Sequence, residues 1–246
     1  MTERPVRAER TAYRPHAPVE RFIVPLLRER IERGLATFAT PPSAGGRALD
    51  IGCGGQPFRH MLESLAYAYT SFDVVQNVSH NVDVIGAIDA PLPPALVGRG
   101  PFHFILCTEV LEHVARWDVA FDNIKTLLHA GGRVLITCPH FYPPHEEPYD
   151  FWRPTPHALE AYGRGVGLLP LEIQRAGDAW DVLGTLLAVT RFRAARRRLG
   201  DHLLALIAQS LRRLAWAGLR RDHLRPRIRI TGPLYLSTYA VFEKPV

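Results

Sequence analysis

Gly46-Arg47-Ala48-Leu49-Asp50-Ile51-Gly52-Cys53-Gly54-Gly55-Gln56 reads as a strand running into a glycine turn. Ala48, Leu49 and Ile51 supply a short buried strand. Asp50, Gly52, Gly54 and Gly55 shape the turn at its C-terminal end. A side chain at Gly52 or Gly54 would hold the backbone away from a ligand, and glycine also permits the positive φ such a turn needs. Residues 58–67 carry a helical pattern, so the turn feeds a helix N-terminus. Strand, glycine turn and helix in this order form the nucleotide-binding corner of an open α/β sheet.

Pro57 stands where the dinucleotide fingerprint G-x-G-x-x-G needs its third glycine, and Asp50 precedes the first glycine by two residues. This D-x-G-x-G order resembles motif I of class I S-adenosylmethionine-dependent methyltransferases. An ordinary βα turn and a degenerate dinucleotide site are the alternatives on this stretch alone. Residues 69–75 read as a second strand ending at Asp73, 21 residues beyond Gly52. An acid at that place accepts hydrogen bonds from ribose hydroxyls, whereas the plainer reading is a solvated loop acid. A third strand over 82–88 leads to Asp89 and Ala90-Pro91-Leu92-Pro93. That segment is similar to the family's adenine-contacting segment, with its Leu-Pro pair one residue late. Asp83 or a backbone amide would serve the same contact.

Residues 102–107 are an apolar run, a buried fourth strand, followed by Thr108-Glu109-Val110-Leu111-Glu112-His113-Val114. The block resembles the fourth-strand region of small-molecule class I methyltransferases. Leu127-Leu128-His129-Ala130-Gly131-Gly132-Arg133-Val134 then resembles the G-G strand that follows in that family. A helix over 117–129 is expected to close at Gly131 in the C′ position. The resemblance covers residues 48–139 in family order. It implies S-adenosyl-L-methionine as cofactor, with contacts from Asp50, Gly52, Cys53, Gly54, Asp73, Asp89, Thr108 and Glu109. His113 is a candidate functional group at the sheet edge where such folds bind ligands; the plainer reading is a packing histidine.

Residues 140–156 form a loop dense in aromatic and titratable side chains and stiffened by five prolines. Pro139, His145, Pro148, Asp150, Arg153 and Thr155 resemble a loop of a methyltransferase subgroup associated with glycan and secondary-metabolite biosynthesis. Asp150 and Arg153 read as an internal pair and Thr155 as a helix cap. His145, with His140 as a second candidate, reads as a substrate contact or proton acceptor, since histidine titrates near working pH. The candidate catalytic residues are thus His145, His113 and His140. No metal ligand set is expected: Cys53, Cys107 and Cys138 are scattered without C-x-x-C spacing and suit a reducing cytosol.

Of 246 residues, 47% are hydrophobic and 22% charged, ordinary values for a soluble α/β domain. No secretory leader is expected from the arginine- and proline-rich N-terminus, and the longest apolar stretch, 182–190, is short of the roughly 20 residues of a spanning helix. The net charge of +6 is carried by arginine, since Lys125 and Lys244 are the only lysines. A helix over 19–38 has Pro25 near its start and Leu27, Ile31, Leu35 and Phe38 on one face.

The expected fold is a Rossmann-like seven-stranded methyltransferase sheet with helices on both faces and a helical insertion before the last strand. Its parts are a flexible basic arm and N-terminal helix (1–40), the cofactor-binding core (41–177), the insertion (178–232) and the last strand (233–246). The insertion reads as helices over 179–197 and 201–219, with twelve arginines against four acids, net +8. Leu203, Leu204, Ile207, Leu211, Leu214 and Trp216 give it an apolar face. It suits a substrate-covering cap or homodimer contact, a diphosphate-bearing substrate, or an anionic membrane surface. The favoured activity is O-methylation of a sugar, lipid-linked glycan or natural product in the cytoplasm. The other two readings are an RNA methyltransferase and a non-catalytic binding protein. The fourth strand lacks the Asn/Asp-Pro-Pro-aromatic ending of enzymes that methylate DNA amino groups.

Overall fold

Parallel strands buried on both faces read as unbroken apolar runs, and Phe102–Thr108 is the clearest in this chain. In the computed structural model, which describes residues 10–41, 45–196 and 198–246, it is the central strand of a seven-stranded sheet. The elements are α1 (Glu20–Phe38), β1 (Arg47–Ile51), α2 (Arg59–Ser64), β2 (Ala68–Asp73), β3 (Val84–Ile85), α3 (Pro94–Val97), β4 (Phe102–Thr108) and α4 (Trp117–Leu127). They continue with β5 (Leu128–Pro139), α5 (Pro156–Gly165), β6 (Leu169–Ala176), α6 (Ala179–Val189), α7 (Leu199–Leu219) and β7 (Ser237–Glu243). Strand order is β3-β2-β1-β4-β5-β7-β6. β1 pairs in parallel with both β2 and β4, while β7 runs antiparallel between β5 and β6. The order reverses at β1 and β4, so the crevice beyond their C-terminal ends is where such a sheet takes a ligand.

The chain divides into two compact units. The first comprises, among the described residues, 10–13, 27–41, 45–176 and 237–246; residues 1–9 of the arm lie outside them. Its core packs Phe102, Ile105, Val134 and Phe242 with Trp117, Phe121 and Ile124 of α4. The amphipathic period of α4 thus covers one face of the sheet. Leu27, Ile31 and Leu35 of α1 are buried, as their spacing predicts.

The second unit comprises residues 14–26 and 177–236. Asp178 caps α6 by accepting the Trp180 and Asp181 amides, and the Asp181 side chain accepts the Asp178 amide in return. Arg225 binds both carboxylates at 2.7–2.9 Å, which anchors the basic segment after α7 to the start of α6. Arg212 on the buried side of α7 donates to the Leu187 carbonyl. The opposite side of α7 exposes Leu203, Leu204, Ile207, Leu211 and Leu214.

Several expectations are corrected. Pro25 sits inside α1 rather than near its start, and residues 14–26 belong with the insertion. α4 ends at Leu127, so Gly131 is not its C′ residue but lies at φ +75 within the irregular start of β5. The insertion helices span Ala179–Val189 and Leu199–Leu219, and the last strand begins at Ser237. The arm is not free at its inner end. Arg10 backbone packs against Gly55, and the Tyr13 ring lies 4.9 Å from that of Phe58.

Candidate active site

The glycine turn is shaped by two positive-φ glycines. Gly52 has φ +68, and a Cβ there would meet Val110 Cγ2 at 2.2 Å, so only glycine lets the turn and the residue after β4 approach. Gly54 has φ +49, and a Cβ there would meet nothing within 4 Å. Its amide donates to Asp73 Oδ2 at 2.9 Å, while Asp73 Oδ1 accepts the Val74 amide at 2.7 Å. The Val75 amide lies 3.5 Å from the same Oδ1, and since a carboxylate has about four acceptor positions, Asp73 keeps capacity for a ligand hydroxyl, chiefly at Oδ2. Asn77 and Asn81 secure the turn. Asn77 donates to the Gly54 carbonyl at 2.9 Å, and Gln56 donates to Asn81 at 2.8–2.9 Å. The sequence reading missed this amide network, because polar side chains in a loop have no periodicity to mark them.

A cleft opens at the strand ends, lined by residues of the glycine turn, β2, the segment after β3 and the segment after β4. Of the expected cofactor contacts, Gly52, Asp73, Asp89 and Glu109 line it. Asp89 is held by the Arg116 amide, which donates to its Oδ2 at 3.3 Å. Asp83, the alternative to Asp89, instead accepts the Ser71 amide and hydroxyl at 2.9 and 2.7 Å, a structural bond between neighbouring strands. Asp50, Cys53, Gly54 and Thr108 do not line the cleft. Asp50 is buried and accepts the Tyr69 hydroxyl at 2.8 Å. Burial pushes its carboxyl up to about 7, against the Tyr69 hydrogen bond and with the help of nearby Asp73. Its part is to fix β1 under the turn.

The block after β4 reaches the cleft through backbone geometry. Glu109 adopts φ +53, and the chain turns through a short 3₁₀ segment, Leu111–His113. Ser237 donates to Glu109 Oε1 at 3.2 Å. Burial raises the Glu109 carboxyl to about 7, opposed by hydrogen bonding. His113 lines the cleft, and its Nδ1 donates to the Tyr149 carbonyl at 2.7 Å. The Glu112 carbonyl accepts the Phe151 amide at 2.7 Å, and the Val114 carbonyl accepts Trp152 Nε1 at 2.8 Å. The 140–156 loop is therefore tied to the segment after β4 through Tyr149, Phe151 and Trp152.

That tie brings His145 to His113. Their rings meet edge to face with centroids 4.7 Å apart, although 32 positions separate them in sequence. Asp150 accepts the His145 amide at 2.7 Å and a two-pronged Arg153 guanidinium at 2.6 Å, and Thr155 caps α5 through the Ala158 amide. His145 is held below its ordinary value chiefly by burial and then by His113, with Asp150 acting in the opposite sense. Glu112 is wholly buried beside them, its carboxyl raised well above the ordinary value by burial first and Glu109 second. Convergent buried groups shifted in opposite senses make this cluster a candidate functional site. His140 is placed differently. Its Nδ1 meets the Pro154 carbonyl at 3.1 Å, so His140 joins the two ends of the loop, while the Thr238 hydroxyl of β7 donates to the same carbonyl.

A methyltransferase-domain family model matches residues 25–162, more than half of the chain. A ubiquinone biosynthesis O-methyltransferase of Caulobacter vibrioides is 31% identical over 119 residues, which cover 43% of this chain and 47% of that protein. The chain thus spans about half the length of the curated relatives it matches. Among solved structures, an S-adenosylmethionine-dependent methyltransferase from Archaeoglobus fulgidus aligns over 88% of this chain and 94% of its own, with TM-score 0.51 and 13% identity. A putative sarcosine dimethylglycine methyltransferase from Galdieria sulphuraria aligns over 96% and 94%, with TM-score 0.55 and 13% identity. With the family model spanning the glycine turn, the strand acid and the Glu-His block, the chain belongs to the methyltransferase domain family, as a class I S-adenosylmethionine-dependent methyltransferase.

Proposed function

We propose that the protein transfers a methyl group from S-adenosylmethionine to a hydroxyl oxygen of a small molecule: a phenolic natural product, a sugar or a lipid-linked glycan. The observation that carries this reading is the meeting of His113, at the cleft, with His145 and Glu112. The cleft suits the cofactor: Gly52 and the Asp73 carboxylate lie in its lining, the latter with acceptor capacity left. Gly52, Asp73 and Asp89 would hold it. When bound, the cofactor supplies an activated methyl whose departure leaves a neutral thioether.

The chain's own task is then alignment and proton removal. Alignment of this kind supplies about 7–11 kcal/mol of a barrier. An alcohol or phenol must also lose its proton as oxygen attacks carbon, and a positioned base contributes about 10²–10⁴-fold. His113 Nε2 and His145 Nε2 are the groups placed to receive it, since carbonyl partners hold both Nδ1 atoms. Curated relatives named as O-methyltransferases of ubiquinone biosynthesis support oxygen as the acceptor atom.

The deciding experiment is isotopic methyl transfer to a panel of phenols, sugars and polyprenyl-linked sugars, with product atoms assigned by mass spectrometry. O-methylation that falls at least tenfold in His113→Ala and His145→Ala, with S-adenosylhomocysteine still bound, supports the reading. Methylation on nitrogen or carbon, or undiminished turnover in both variants, overturns it.

A second observation supports peripheral contact with an anionic membrane. α7 carries its exposed leucine stripe in a segment of net charge +8, the composition of an interfacial helix. Among the described residues, no helix is long and apolar enough to cross a membrane.

A further inference from the structure

Glu112 is completely buried, and its Oε1 accepts no hydrogen bond among the described residues. Buried carboxylate oxygens are normally satisfied. This one faces His113 Nε2 at 3.7 Å and His145 Nε2 at 3.8 Å, both too long for hydrogen bonds. The three atoms lie within 4.8 Å of one another.

Both imidazoles are oriented in the same way. His113 Nδ1 meets the Tyr149 carbonyl at 2.7 Å, and His145 Nδ1 lies 3.3 Å from the Pro143 carbonyl and 3.4 Å from Asp150 Oδ2. A carbonyl only accepts, so each Nδ1 carries the hydrogen and each Nε2 presents a lone pair. Carbonyl or carboxylate partners on the far nitrogen are what orient histidines that ligate metals.

We propose that Glu112 Oε1, His113 Nε2 and His145 Nε2 bind one divalent transition-metal ion of the zinc class. Ligands at about 2.1 Å from a tetrahedral ion lie about 3.4 Å apart. Glu112 Oε1 is within about 0.4 Å of that spacing from each imidazole, while the two imidazole nitrogens, at up to 4.8 Å, close by up to about 1.4 Å through movement of His145 on its loop. Two imidazoles and one carboxylate favour zinc or cobalt over magnesium or calcium, which prefer all-oxygen sets. Glu146 Oε2, 3.8 Å from His113 Nε2, is a further carboxylate at the rim. Of the three ligands, His113 also lines the cleft. The use of the ion rests on the methyl-transfer reading and takes the place of the histidine bases, whose Nε2 lone pairs it would occupy: an acceptor hydroxyl ligated there would lose its proton more readily, to water in the cleft.

The test needs no methyl donor. Untagged protein is stripped with chelator, dialysed and titrated with Co²⁺, read by visible d–d absorption and calorimetry. One equivalent should bind, with affinity at least tenfold lower in Glu112→Gln and His145→Ala and unchanged in the exposed-histidine control His157→Ala. Circular dichroism checks folding. Should Glu112→Gln fail to fold, His145→Ala carries the result, because its side chain is 32% exposed on a loop. No Co²⁺ bound by the wild type, or binding that survives His145→Ala, overturns the proposal. Either result leaves O-methyl transfer standing with the histidines as bases, whereas loss of turnover on every acceptor would strike that reading and not the ion site.

Discussion

The Asp73 carboxylate accepts the Gly54 amide at 2.9 Å, so the acid at the tip of β2 braces the glycine turn at the tip of β1. One side chain therefore shapes the cleft and offers its remaining lone pairs to what binds there. Asp73→Ala should weaken S-adenosylhomocysteine binding by about 10–100-fold, the range of hydrogen bonds to a charged acceptor. Asp73→Asn should fall between the two, since it keeps one acceptor oxygen. Calorimetry checks both, and unchanged affinity in Asp73→Ala would remove the residue from the site.

The two positive-φ glycines should separate stability from binding. Gly52→Ala carries backbone strain of about 1–3 kcal/mol and places a methyl against Val110. It should lower the urea midpoint and abolish cofactor binding together. Gly54→Ala meets no atom within 4 Å, so it should lose less stability, with any loss of affinity showing in the same calorimetric assay.

Asp50 makes stability depend on pH with a definite sign. Its carboxyl is raised in the folded protein to about 7 from 3.8. The folded state therefore binds the proton more tightly, and this contribution is full below about pH 4 and lost as pH rises through 7. Asp50→Asn cannot titrate. The stability of the wild type relative to Asp50→Asn should thus fall between pH 4 and 7, as measured by urea unfolding across that range.

Arg153 acts on His145 through Asp150. Its guanidinium holds the carboxylate that accepts the His145 amide. Arg153→Ala should reduce turnover about as much as His145→Ala while leaving S-adenosylhomocysteine affinity intact, because neither residue lines the cleft. Arg153→Lys should restore little, since a lysine cannot grip both oxygens in one plane.

The stripe on α7 gives a prediction independent of the cleft. Leu204→Asp with Leu211→Asp should abolish sedimentation with phosphatidylglycerol-containing vesicles and leave methyl transfer to a water-soluble acceptor unchanged. Binding by the wild type should weaken as salt is raised, because surface attraction is screened.

The succession of strands and the glycine turn were legible in the chain because each depends on local signals. The glycine turn needs small residues at fixed positions, the buried strands need apolar runs, and Asp73 follows at the distance one βαβ unit imposes. Pairing of Asp150 with Arg153 and capping by Thr155 were legible for the same reason, each spanning only three residues. The end of α4 and the place of Pro25 were not, since packing of the neighbouring strand and helix decides them over local preference.

What the amino-acid order determined by itself is the family and the frame: which strands are buried, where the turn falls, and which acid stands beside it. Only the folded chain decided which side chains meet. It turned Asp50 inward to Tyr69, assigned His140 to holding the loop, and set His145 against His113 and Glu112. The physical reason is that local preference acts over a few residues, whereas Glu112 and His145 are joined through hydrogen bonds between a loop and a strand end that exist only once the sheet has formed.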